Sequence, residues 1–185
     1  MITSNPVNSS SLTVPYAVYK STSTGAAGGT AQQSAITTMI FCNTGTVNLT
    51  DETANAISIS VYLVKSTGTS NATKNLIINN LNIPAGETVI FSDERIVLDS
   101  DDWVYVGASP GAVDTVGSLT LGGNYTIVTL GSTNNTQWNT IAGTSAAPVS
   151  YVVGSHFTCA DIGTGLGNGT ARRNLISCTV SSIPV

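Results

Sequence analysis

The run AISISVYLV (56–64) alternates Ile57, Ile59, Val61 and Leu63 with Ser58, Ser60 and Tyr62. A period of two is the mark of a β-strand with one buried face. Runs of similar length recur along the first part of the chain, each bounded by turn residues. LTVPYAVYK (12–20) reads as a strand that Pro15 confines to an edge or a bulge. After a Gly/Ala/Thr/Ser loop (21–34), AITTMIFCN (35–43) reads as the next strand. A turn region (66–75) precedes LIINNLNI (76–83), and PAGETVIF (84–91) reads as a Pro-Ala-Gly turn entering a strand. IVL (96–98) is a short strand, and SDDWVYVGAS (100–109) ends in another, carrying Trp103, Val104, Tyr105 and Val106. Short strands at this spacing predict a sandwich or jelly roll and argue against a βαβ fold.

Composition supports the same class. Of 185 residues, 41% are hydrophobic and only 9% charged, against a usual charged share of about 25%. The polar fraction is Thr, Ser, Asn and Gly, which favour strands and turns. The net charge is −4, with six basic residues in all, too few to build the basic surface that nucleic acid requires. Low charge leaves a surface suited to packing against neighbours. No basic region followed by an apolar run marks a signal peptide, and no run approaches the roughly 18 apolar residues that cross a bilayer.

The chain changes character after SPGAV (109–113). The following segment predicts a strand at Tyr125–Leu130, a helical turn near Gln137–Ala142, a strand at Val149–Thr158, and a glycine series at Gly163, Gly165, Gly167 and Gly169. NLISCTV (174–180) then reads as a final strand. The polar stretch 1–11 reads as a flexible or partner-bound arm.

Two stretches are similar to segments of tailed-phage structural proteins. LIINNLNIPAGETVIFSDERIVLDSDDWVYVGAS (76–109) resembles a small β module with the order apolar strand, IPAGET, short strand, IVL, acidic turn, and a strand ending in Ala-Ser. YTIVTLGST, TIAG, VVGSHFT and GTGLGNGTA, spanning 125–171, resemble a small module common in marine and cyanobacterial phage proteins. Asn135–Asn139 departs from the more apolar run of that pattern, and Cys159-Ala160-Asp161 stands where small residues are usual. In the first family the Ala-Ser strand is followed closely by one last strand. The resemblance therefore implies an arm (1–11), a jelly-roll β-sandwich (12–114), an inserted small β-rich module (115–173), and a terminal strand (174–185) that completes the sandwich. A serial arrangement of two domains is the alternative.

Few residues invite a chemical reading. The glycine series lacks the GxGxxG spacing and has no Lys-Ser/Thr to close a phosphate loop, so it reads as turns. GTSAAP (143–148) is similar to the serine-nucleophile segment of subtilisin-like proteases, but the single His, His156, follows it rather than preceding it. Asp93, Glu94, Asp99, Asp101 and Asp102 lack the spacing of a calcium loop and read as a solvated turn. Cys42, Cys159 and Cys178 form no CxxC pair and read as free thiols, with a Cys42–Cys178 bridge open if their strands are neighbours. No catalytic residue, metal site or cofactor is expected. The residues singled out as interface anchors are Pro15, Tyr16, Tyr19, Trp103, Tyr105, Trp138, Arg172 and Arg173.

The resemblance implies a non-enzymatic virion component, foremost a capsid decoration (cement) protein. Its partners would be copies of itself, with a trimer compatible with the family class, and the major capsid protein or another virion protein. No nucleic acid or membrane would be bound. A tail, neck or fibre component, and a carbohydrate-binding module for host recognition, are the alternatives.

Overall fold

A computed structural model describes residues 2–7, 15–21, 33–47, 49–50, 55–67, 75–92 and 95–185. The chain divides into two compact units, Met1–Ser109 with Leu175–Val185, and Pro110–Asn174.

The first unit contains β1 (Ile2–Pro6), β2 (Tyr16–Lys20), β3 (Ser34–Asn43), β4 (Ile57–Val64), β5 (Leu76–Ile83), β6 (Thr88–Phe91), β7 (Ile96–Leu98) and β8 (Trp103–Ala108). The second contains β9 (Val113–Thr115), β10 (Asn124–Thr129), α1 (Asn135–Ile141), β11 (His156–Thr158) and β12 (Thr170–Arg173). The closing strand β13 (Ile176–Pro184) returns to the first unit.

The first unit is an antiparallel sandwich of two sheets, ordered β1-β13-β3-β6 and β2-β8-β4-β5. β6 and β7 pair with opposite ends of β3, at Met39–Cys42 and Ser34–Ile36, so together they fill one strand position. The strand positions then run first, last, third, sixth in one sheet and second, seventh, fourth, fifth in the other. That wrapping is the jelly roll. The two inner faces supply the core, with Phe41, Ile59, Val61, Ile83, Val104 and Val180 all without solvent exposure. Each such side chain contributes about 1.5–3 kcal/mol on burial. Tyr19 on β2 reaches across the core and donates its hydroxyl hydrogen to Ser182 Oγ on β13 at 2.9 Å, tying one sheet to the other.

The sequence-predicted strands at 56–64, 76–83 and 96–98 match within a residue. The expected strand at 12–20 is described from Pro15 onward, with Tyr16–Lys20 forming an edge strand, as Pro15 requires. The expected arm is corrected in its first part: Ile2–Pro6 pairs antiparallel with β13, Ile2 opposite Ser181 and Pro6 opposite Ser177, and Val7 is buried. Residues 8–11 lie outside the described residues, as do Asp93, Glu94 and most of the 21–34 loop. The boundary after the sandwich is corrected as well, because β9 pairs with β12 and belongs to the second unit.

Register also decides the cysteine question. β3 and β13 are neighbours, but Cys42 stands opposite Ser177 and Cys178 opposite Phe41. The two thiols are one residue out of step, so they point to opposite faces of the sheet. All three cysteines are free.

The second unit is a four-stranded sheet, β11-β10-β12-β9, with α1 packed on it. Phe157 centres its core, stacked on Tyr125 with centroids 5.6 Å apart and met edge-on by Trp138 and Tyr151. Asn134 caps α1 through a reciprocal box with Gln137. Gly169 lies so close to Trp138 and the Leu130 carbonyl that a Cβ would sit 2.6 and 2.7 Å from them. The strand expected at Val149–Thr158 forms only at His156–Thr158. Upstream, the backbone is held by side chains of α1. Asn139 donates to the carbonyls of Asn135 and Val149 and accepts from Val149 N–H and Thr144 Oγ1. Asn135 accepts from Tyr151 N–H and donates to the Val149 carbonyl. The polar departure at Asn135–Asn139 is thus the fastening of a segment that has no strand partner.

Asn139 is 2% exposed, so an apolar side chain there leaves the Val149 N–H without its acceptor. Asn139→Leu should lower stability by about 2 kcal/mol or more, read as the midpoint of urea unfolding by near-UV circular dichroism. An unchanged midpoint would show that this fastening carries no stability.

Candidate interaction surfaces

The outer face of the β1-β13-β3-β6 sheet follows from alternation. Inward-pointing Cys178, Val180, Phe41 and Met39 are buried, so their neighbours along the strands point outward. Thr179, Ile40 and Ile90 form one cross-strand row, and Ser177, Cys42 and Thr88 form the next. Ile183, Ala35 and Val97 form a third beyond a bulge at Ser181/Ser182. Ile90 and Val97 are 59% and 57% exposed. Among the described outward positions of this sheet no Asp, Glu, Lys or Arg occurs.

The described ion pairs of the first unit gather elsewhere. Lys20 pairs with Asp101 at 2.7 Å, and Lys65 pairs with both Asp99 and Asp102. Lys20 ends β2, Lys65 follows β4 and the three acids precede β8, so they share one end of the second sheet. Lys65 holds the Asp99 carboxyl below the usual carboxylate range. Asp102, nearly buried, also accepts from the backbone N–H groups of Ser66 and Asp99. Of the acids expected in a solvated turn, Asp99, Asp101 and Asp102 therefore brace the turn between β7 and β8. Among the described residues no group of three or more His, Cys, Asp or Glu is placed to hold a metal.

The sequence-predicted anchors divide between surface and core. Trp103 and Tyr105 stand side by side on the outer face of the β2-β8-β4-β5 sheet, centroids 5.8 Å apart and rings tilted by 45°. The Lys20 ammonium lies 5.0 Å from the Trp103 ring centroid. Two tilted rings, one capped by a cation, do not make the coplanar platform that a sugar stacks on. Pro15 is half-buried at the approach to β2, and Tyr16 packs partly buried against the sandwich core. Tyr19 and Trp138 are corrected: Tyr19 is a core residue of the sandwich, and Trp138, 1% exposed, is a core residue of the second unit. Arg172 and Arg173, expected as interface anchors, lie on β12, an inner strand of its sheet, where both are half-buried. His156 on β11 lies 2.8 Å through Nδ1 from Thr126 Oγ1, and burial lowers its pKa.

One groove of about 450 Å³ opens between the two sheets where the edge strands β5 and β6/β7 face each other. Met39, Leu63, Ile78, Phe91 and Ile96 line it, with Ser92 as its single polar side chain. Such a lining offers dispersion contacts and nothing that would orient a polar ligand.

Sequence reasoning passed over the outer-face row itself. Its signal was present in AITTMIFCN and ISCTVSSIP, where Thr, Ser, Ile and Cys occupy the solvent side of two strands without a charge.

The face and the thiols make a joint prediction. Burial pushes Cys178 up to about 12 and raises Cys159, while Cys42 stands on the open face. Alkylation of the folded chain at pH 8, in solution dilute enough to keep copies apart and followed by peptide mass spectrometry, should label Cys42 and leave Cys178 unmodified until the chain unfolds. Equal labelling of Cys42 and Cys178 would overturn the register that separates them.

Comparison with known proteins gives no match: no family model, no curated protein and no solved structure matches the chain.

Proposed function

We propose that this chain is a structural component of a tailed-phage virion, foremost a capsid decoration protein, that works by packing against copies of itself and against the shell. The observation that carries the reading is the uncharged outer face of the β1-β13-β3-β6 sheet, with Ile90 and Val97 in solvent. A sheet face that exposes Ile and Val and carries no charge is suited to a partner, since absence of charge spares it the desolvation that charged groups demand. A jelly roll supports the reading, since it buries both inner faces and leaves its outer faces to specify association. The two stretches that resemble phage proteins each fall within one unit, 76–109 covering β5 to β8 and 125–171 covering β10 into β12. No bond-making step enters the mechanism. The stabilisation would come from burying apolar surface, at about 25 cal/mol per Å².

A place in the neck or tail would use the same surface, and copy number separates the two. Quantitative mass spectrometry of purified particles, with heads separated from tails, should find hundreds of copies travelling with heads. A few dozen copies or fewer, travelling with tails, would overturn the decoration role. Absence from both fractions would overturn the virion reading.

A further inference from the structure

The sandwich offers a partner two kinds of surface, strand edges and sheet faces, and they are built differently. Each of its edges is blunted. β1 ends in Pro6, which has no N–H to donate. β2 follows Pro15 and carries a bulge between Ala17 and Tyr19. β5 shifts register twice against β4, and Asn80 within it has φ 53°. The remaining edge is split into β6 and β7, of four and three residues. Short, bulged or proline-bearing edges are devices against strand addition. Association by strand or arm exchange along these edges is therefore disfavoured.

The face has no such device. Its two inner strands, β3 and β13, are the longest of the sandwich, at ten and nine residues. At about 3.4 Å per residue and 4.8 Å between strands, the four strand positions, of five, nine, ten and, for β6 with β7, seven residues, present a flat area of roughly 500 Å². The relief of its side chains raises the accessible area towards the about 800 Å² per partner of a standard interface. The face is large enough for one stable contact.

Its charge pattern selects the partner. A charged face meets its own copy at the cost of like-charge repulsion and needs a complement on a different protein. A face of Thr, Ser, Ile, Val and Cys meets its own copy with no such conflict. Two identical twisted sheets also stack in the aligned mode, at about 30°. We infer that the chain forms a two-fold dimer in which the outer faces of the β1-β13-β3-β6 sheets of two copies stack, with Ile40, Ile90 and Thr179 at the centre. This rests on the packing role proposed above and names the first partner of that same face.

Sedimentation velocity of the purified full chain, at up to about 100 µM, where a micromolar Kd is saturated, tests it. The wild-type chain should sediment as a dimer. Ile40→Asp should weaken self-association at least about tenfold, through a buried unpaired carboxylate. Ile90→Lys, at a position exposed on an edge strand and tolerant of substitution in the monomer, should do the same if Ile40→Asp fails to fold by circular dichroism. Asn82→Asp, on the outer side of the other sheet, should leave the dimer unchanged. A monomeric wild-type chain, a trimer, or a dimer indifferent to Ile90→Lys would each overturn the proposal. These results concern the purified chain alone, so they stand or fall separately from the copy count in particles.

Discussion

The placement of the last strand between the first and the third is the constraint on which the sandwich depends. β13 pairs with β1 on one side and β3 on the other. Without it β1 has no partner among the described strands, and the sheet it completes has no centre. Tyr19 bonds to Ser182 on this strand, so the tie between the sheets is made there too. Contacts of this sequence separation form against a large loop-closure entropy. The second unit reduces that difficulty. Its entering strand β9 and leaving strand β12 form an antiparallel ladder, with Val113 opposite Arg172. Arg173 N–H adds a further bond to the Ala112 carbonyl. Once that ladder is made, the long stretch between β8 and β13 has its ends side by side, and the connection closes as a short one would.

Much of this was legible in single strands and little of it in their pairing. Alternation in ISISVYLV identifies a strand and its buried face without reference to anything else. The same rule failed at Ile2–Pro6, where Ser, Asn and Pro carry no alternating apolar signal and the strand exists because β13 supplies a template. It failed at TARR (170–173), which follows a glycine series and reads as a turn until β9 and β10 flank it. In the other direction, the apolar valines at 149–153 promised a strand that Asn135 and Asn139 pre-empt by taking the backbone groups of Val149 and Tyr151. Side chain–backbone competition of this kind lies in the spatial partner, which sequence does not display.

The candidate surface was missed for a related reason. Large aromatic side chains bury much area wherever they sit, so size alone does not separate Trp103, at the surface, from Trp138, in a core. The outer-face row contains no large aromatic residue and no motif. What distinguishes it is a relation between strands distant in sequence. Thr179, Ile40 and Ile90 become one feature only once the register of β13, β3 and β6 is known.

Charge segregation gives that row its meaning. Exposed ion pairs such as Lys20–Asp101 contribute little to stability, so their position says more than their energy. The described pairs of the sandwich gather at the turn between β7 and β8 and the strand ends beside it, where Asp102 also serves the backbone. An outer sheet face of a monomer that works alone is ordinarily furnished with Lys, Glu or Arg, because solvent-side strand positions tolerate them and solubility gains from them. Here six basic and ten acidic residues had to be distributed over 185 positions. At the described outward positions of the β1-β13-β3-β6 sheet they are replaced by β-branched and hydroxyl side chains, which fit a pleated surface packed on another. Such residues contribute little to solubility while the face is open to water. Their physical advantage arises when it is covered.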